Sequence, residues 1–188
     1  HIARILDYRW YQVVEIAEAK GGIKYKNSLD INKYIQFKRE QKEIHRNCHC
    51  KGKICNMVEC KIVSASNILE EDVDVIIPAA LENQINVKNA NKIKAKIILE
   101  MANGGIALDT EKILKKRGII IVPDVLANAG GVVVSYFEWL QNLKKEKWSK
   151  KIVQNRLTEK MSKAYREVEK TARKYKTPKT RIIIPTTN

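Results

Sequence analysis

Three short segments of this chain combine small side chains with amides, and each follows a run rich in β-branched residues. Pro78-Ala79-Ala80 follows Val73-Asp74-Val75-Ile76-Ile77, and Met101-Ala102-Asn103-Gly104-Gly105 follows Ala95-Lys96-Ile97-Ile98-Leu99. The third, Ala127-Asn128-Ala129-Gly130-Gly131, comes after Gly118-Ile119-Ile120-Ile121-Val122. Small side chains let a flat ring approach the backbone, and Asn103 and Asn128 each offer an amide donor and an acceptor. Asn103-Gly104 is equally the signature of a simple turn. Gly130-Gly131 precedes an apolar-periodic run and marks a helix N-terminus, whose free N–H groups and dipole suit a carboxylate. Ser135 lies one turn into that helix, where a serine can also return its hydroxyl to a backbone carbonyl.

Two further groups have chemistry of their own. Glu18 closes an apolar run, Gln12-Val13-Val14-Glu15-Ile16-Ala17, at the position where dinucleotide folds place an acid for a ribose; a solvated loop acid is the alternative. Lys20 nearby would suit a 2′-phosphate instead. His45-Arg-Asn-Cys-His-Cys-Lys-Gly-Lys-Ile-Cys-Asn-Met-Val-Glu-Cys60 gathers six soft ligands within 16 residues. Its Cys50-x4-Cys55-x4-Cys60 spacing lacks the paired Cys-x2-Cys turn of zinc sites, which favours free thiols in a surface loop and no metal.

The elements that must position these residues follow from the same runs. Val75, Ile97 and Ile119 are spaced 22 residues apart, which leaves room for one helix and two short loops in each crossover. The spacing predicts an α/β fold in which the strands at 12–17, 73–78, 95–100 and 118–122 are parallel neighbours in one sheet covered by helices on both faces. Helices are expected at about 2–10, 30–42, 89–93, 109–116, 131–145 and 149–175. Asp109 serves as an N-cap and Gly118 as a stop. Val134, Phe137, Leu140 and Leu143 form the apolar spacing of the fifth helix, and Ile152, Leu157, Met161, Ala164, Val168 and Ala172 the stripe of the last.

Composition bounds the rest. The 188 residues are 44% apolar, enough for a compact domain with a real core. No apolar stretch approaches the ~20 residues of a membrane helix, so bilayer spanning is excluded. The N-terminus shows no signal-peptide design, lacks an initiator Met and opens inside a helical pattern, as a cut chain would. Four Cys confined to 48–60 do not resemble a secreted disulfide framework, which points to a reducing, cytoplasmic compartment. Residues 144–181 carry 15 Lys and Arg against four Glu, or +11 of the net +15. A Lys-rich solvated helix accounts for this charge; a basic module holding nucleic acid through residues 144–181 is the alternative.

Asp74-Val-Ile-Ile-Pro-Ala-Ala-Leu-Glu-Asn-Gln-Ile85, Ile93-Lys-Ala-Lys-Ile-Ile-Leu-Glu-Met-Ala-Asn-Gly104 and Val122-Pro-Asp-Val-Leu-Ala-Asn-Ala-Gly-Gly-Val-Val-Val-Ser-Tyr-Phe-Glu-Trp-Leu-Gln-Asn142 resemble the glutamate dehydrogenase family, which includes the leucine, phenylalanine and valine enzymes. Trp148 to Tyr175 is similar to the helix that follows. The resemblance covers nearly the whole chain. It implies the C-terminal NAD(P)-binding domain, a Rossmann-like doubly wound parallel sheet incomplete at its N-terminus and followed by long helices. On this reading residues 1–148 form the dinucleotide-binding domain, and 149–188 a basic helix and tail packed on it. Family members are two-domain hexamers that oxidatively deaminate an L-amino acid, here most simply L-glutamate to 2-oxoglutarate and ammonia.

By resemblance, Ala79, Ala80, Asn103 and Asn128 would meet the nicotinamide, Glu18 the adenosine ribose, and Val132 and Ser135 the substrate side chain. NAD is favoured over NADP. The partners implied are a small amino acid and further copies of the chain. Departures from the family pattern are Ala17-Glu18 in place of Ser-Asp, Met101, Gly105-Ile-Ala-Leu108 and the C-terminus from Arg181. The resemblance places the pyrophosphate-binding Gly-rich turn and the catalytic Lys and Asp outside this chain. No catalytic residue is expected within it, and the chain alone is expected to be inactive.

Overall fold

The computed structural model describes residues 1–18, 21–25, 30–41, 60–64 and 67–175, and the chain divides by packing into His1–Glu71 and Asp72–Asn188. The expected 1–148 region thus spans both units. In the first unit, α1 (Ile2–Tyr8) precedes β1 (Glu15–Glu18), β2 (Gly21–Tyr25), α2 (Ile31–Gln41) and β3 (Cys60–Val63). The three strands form their own sheet in the order β1-β2-β3, antiparallel throughout, with Glu18 opposite Gly21 and Gly22 opposite Val63. This corrects the expectation that 12–17 would join the later strands in parallel. Gly22 lies so close to the neighbouring strand that an added Cβ would sit 2.7 Å from the Ile16 carbonyl oxygen. Ile23, Ile31 and Tyr34 are buried together, with Ala3, Val13, Ile16 and Ile35 packed around them.

Glu15 stands opposite Lys24 across the β1–β2 pair, and Lys24 is ion-paired with Glu71. Among the described residues neither buried carboxylate oxygen of Glu15 has a hydrogen-bond partner. Burial, helped by the charge of Glu71 and opposed by Lys24, pushes its pKa from 4.5 up to about 7. A carboxyl whose folded pKa lies above its unfolded one takes up a proton on folding. Its favourable contribution is therefore complete below the unfolded value and is lost as pH rises through about 7. With solvent screening, stability should fall by on the order of 1 kcal/mol between about pH 5 and pH 8 on this account. Glu15→Gln should flatten that slope in urea melts; an unchanged slope would assign it to other groups.

The second unit holds β4 (Val75–Ile76), β5 (Ile97–Leu99) and β6 (Ile120–Val122), parallel and in that order. Val75 pairs with Ile97 and Ile97 with Ile120, so the 22-residue spacing anticipates the ladder to within one residue. Register sets Ile76, Ile98 and Ile121 side by side on one face, and all three are buried, Ile98 completely. The opposite face is less well covered, since Val75 and Ile120 are 41% and 56% exposed. Around the sheet come α3 (Glu111–Lys116), α4 (Asp124–Ala127), α5 (Gly130–Lys144) and α6 (Lys150–Lys174).

Local chemistry explains the remaining differences. Residues 89–92 form turns and residue 93 is irregular, because asparagine side chains compete for the backbone there: Asn89 Oδ1 accepts from Asn86 N at 2.9 Å, and Asn89 Nδ2 donates to the Gln84 carbonyl at 2.8 Å. Thr110, not Asp109, is the N-cap of α3, and Asp109 Oδ1 instead accepts from the Thr110 hydroxyl. Gly118 follows α3 with φ +75°, a left-handed turn that stops the helix. Ser149 caps α6 by accepting from Ile152 N. α6 packs on α5 and α4 through a stripe that runs from Val153 to the buried Ala172, leaving Ile152 exposed. Phe137 is the buried residue of α5, its ring 5.7 Å from that of Trp148. Arg156 of α6 lies over the ring of Trp148, and Lys160 over that of Tyr136.

Candidate functional site

The three parallel strands end at one edge, where the loops that follow them are bonded to one another. The Pro78 carbonyl after β4 accepts from Met101 N at 3.0 Å and Ala102 N at 2.9 Å, both after β5. The ladder continues beyond the sheet. Asn83 N donates to the Gly104 carbonyl at 2.7 Å, Ile85 N to that of Gly105 at 3.0 Å, and Ala107 N to that of Ile85 at 2.8 Å. Gly105 is buried in this contact, where a Cβ would meet the Pro78 ring at 3.3 Å. Gly104 turns with φ +58°, a conformation that suits glycine.

Side chains join the β5 loop to the β6 loop. Asn128 Nδ2 donates to Asn103 Oδ1 at 2.6 Å. Asp124, the first residue of α4, accepts from Gly104 N at 2.8 Å through Oδ2 and from Val125 N at 2.6 Å through Oδ1. Glu100 is only 6% exposed and accepts from Ile106 N at 2.9 Å. Burial raises its pKa, while the N–H groups of Ile106 and Asp124 favour the charged form and nearby Asp124 and Glu111 oppose it.

Of the residues singled out from sequence, Asn103 and Asn128 are in direct contact. Ala79 and Ala80 are exposed immediately after Pro78, whose carbonyl holds the loop that carries Asn103. Val132 and Ser135 are exposed on the first two turns of α5, three residues apart and so on one face of it. Among the described residues Ser135 returns no hydrogen bond to the backbone, whereas Thr158 of α6 does. Glu18 lies in the first unit, ion-paired with Lys38 of α2. Lys20, Cys48, Cys50 and Cys55 fall outside the described residues, and Cys60 begins β3. The sequence reading missed Glu100 and Asp124. Their signal was an acid placed directly after an apolar strand, Ile97-Ile98-Leu99-Glu100, and another opening a helix after Pro123.

A parallel sheet with amides, glycines and a helix N-terminus gathered at its carboxyl edge is the arrangement of a doubly wound ligand-binding domain. The model of the glutamate/leucine/phenylalanine/valine dehydrogenase family matches residues 1–185, and the chain belongs to that family. It is 43% identical over 160 residues to the NADP-specific glutamate dehydrogenase of Synechocystis, covering 85% of this chain and 37% of that protein. It is 37% identical over 175 residues to the catabolic NAD-specific glutamate dehydrogenase of Bacillus subtilis, covering 93% and 39%. Among solved structures it resembles the hetero-hexameric glutamate dehydrogenase of Thermus thermophilus. That match has a TM-score of 0.83 at 22% identity, over 95% of this chain and 39% of the other. The chain therefore spans less than two-fifths of the length of these relatives. Among the described residues no helix is long and apolar enough to cross a membrane.

Proposed function

We propose that this chain is the NAD(P)-binding part of an amino acid dehydrogenase that converts L-glutamate to 2-oxoglutarate and ammonia, with NAD as its cofactor. The observation that carries this reading is the Asn103–Asn128 amide pair, set between glycines at the carboxyl edge of the sheet in a member of this family. The pair fits a carboxamide. Its internal hydrogen bond engages one Nδ2 and one Oδ1, so the Asn103 amino group and the Asn128 carbonyl are the complement of an incoming amide. When bound, the nicotinamide supplies the hydride acceptor. Asn103 and Asn128 fix its orientation, and Ala79 and Ala80 leave the edge open for a flat ring. Val132 and Ser135, on one face of α5, would meet the substrate side chain.

The preference for NAD rests on the acid at position 18, an acceptor for ribose hydroxyls whose charge is offset by Lys38; the relatives include both NAD- and NADP-specific enzymes. The base that takes the amine proton is proposed to lie outside this chain. So are the other copies of a hexamer, which the family resemblance implies; the solved Thermus relative is itself a hetero-hexamer. The test is NADH binding by fluorescence titration. Asn128→Ala should weaken binding by about 1–3 kcal/mol, the cost of leaving a polar group without its partner. Equal affinity in the variant would remove the amide pair from the site.

A further inference from the structure

We infer that Glu100 and Asp124 are positioning residues, a reciprocal clasp that sets the Asn103–Asn128 amides before any ligand arrives; this rests on reading those amides as the nicotinamide contact. Glu100 directly follows β5, its own N–H completing the ladder to the Val122 carbonyl at 3.0 Å. Its carboxylate turns back under the loop and holds Ile106 N, with Oε1 3.6 Å from where a Gly105 Cβ would be. Asp124 stands at the matching place after β6 and reaches the other way to hold Gly104 N. The two held amides, Gly104 and Ile106, directly follow Asn103 in the β5 loop, and Asp124 lies four residues before Asn128. The β5 loop is thus held just past Asn103 by a carboxylate of its own and by one from the β6 loop.

Packing alone gives no reason for this choice of residue. A carboxylate that is 6% exposed, with a second acid beside it and a third on α3, is a costly way to fill space, and leucine would fill it more cheaply. What the carboxylates add is geometry, because charge-assisted hydrogen bonds to backbone N–H groups are shorter and stronger than neutral ones. A ligand meeting amides already aligned loses less affinity to ordering them.

The test compares the 188-residue chain with Glu100→Leu, Glu100→Gln, Asp124→Asn and, as a control, Ile98→Ala, which weakens the core without touching the clasp. Fluorescence titration gives the NADH affinity, and amide hydrogen exchange reports Gly104 and Ile106. Glu100→Leu should bind NADH about tenfold more weakly and lose protection at both amides. Glu100→Gln, which keeps one acceptor, should recover most of both, and Asp124→Asn should act chiefly at Gly104. Folded Ile98→Ala should keep the parental affinity. If Glu100→Leu binds NADH as the parent does, or Ile98→Ala loses as much affinity, the positioning role is overturned. Because the pyrophosphate-binding turn is expected outside this chain, the parent is also titrated with nicotinamide mononucleotide, and a parent that binds neither probe sinks the reading of the amides. In that case the clasp itself still stands or falls on whether the exchange of Gly104 and Ile106 depends on Glu100 and Asp124.

Discussion

Truncating Ile98 to alanine should destabilise the second unit by about 2–5 kcal/mol, the cost of removing a branched side chain from a site that cannot collapse. Ile98 is the middle member of the row Ile76, Ile98, Ile121, on the central strand of a three-stranded sheet, and it is completely buried. Its neighbours are held by the ladders on both sides and cannot move in to fill the space. Val75→Ala, on the half-exposed face, should cost well under half as much, since most of what it loses is already in water. Urea unfolding of the two variants checks this, and similar costs would mean that the two faces are covered alike.

The second large effect is on turnover. The chain, supplied with L-glutamate and either NAD or NADP, should produce no reduced nicotinamide. Hydride transfer needs the amino acid held over the ring and its amine deprotonated by a base. The acids at the carboxyl edge are already engaged: Glu100 by the N–H of Ile106, and Asp124 by those of Gly104 and Val125. Their geometry holds loops and leaves neither free to receive the amine proton. An absorbance assay that rises above the reagent blank would place a base within this chain.

The parallel half of the fold was readable because three runs of β-branched residues recur at one spacing and are separated by turn chemistry. That Asn103 and Asn128 come together could be expected for the same reason, as each lies a few residues past a strand. The first sheet was not. Glu15-Ile16-Ala17-Glu18 alternates as either kind of strand would, and Gly21-Gly22-Ile23 looks like a loop until Gly22 is seen to sit against the Ile16 carbonyl, where no side chain fits. Pairing partners such as Val63 lie far along the chain, beyond the reach of local pattern. Asp109 and the 89–93 segment failed for a different reason: short polar side chains can bond to the backbone in several ways, and composition does not choose among them. Glu100 was passed over because an acid after a strand is ordinarily a solvated one, and its burial is what sets it apart.

Asn103-Gly104 also has a bearing on how the protein ages. An asparagine followed by glycine is prone to lose its amide when the next backbone nitrogen closes on the side-chain carbonyl carbon to form a succinimide ring. Here that nitrogen belongs to Gly104, and its hydrogen is held by Asp124 Oδ2 at 2.8 Å, while Asn103 Oδ1 is held by Asn128. Both reacting groups are therefore restrained from turning toward each other. The chemical lifetime of this pair is set by the same bonds that shape the edge. Once they open, the product would be an aspartate or isoaspartate close to Asp124, a negative charge in place of the amide.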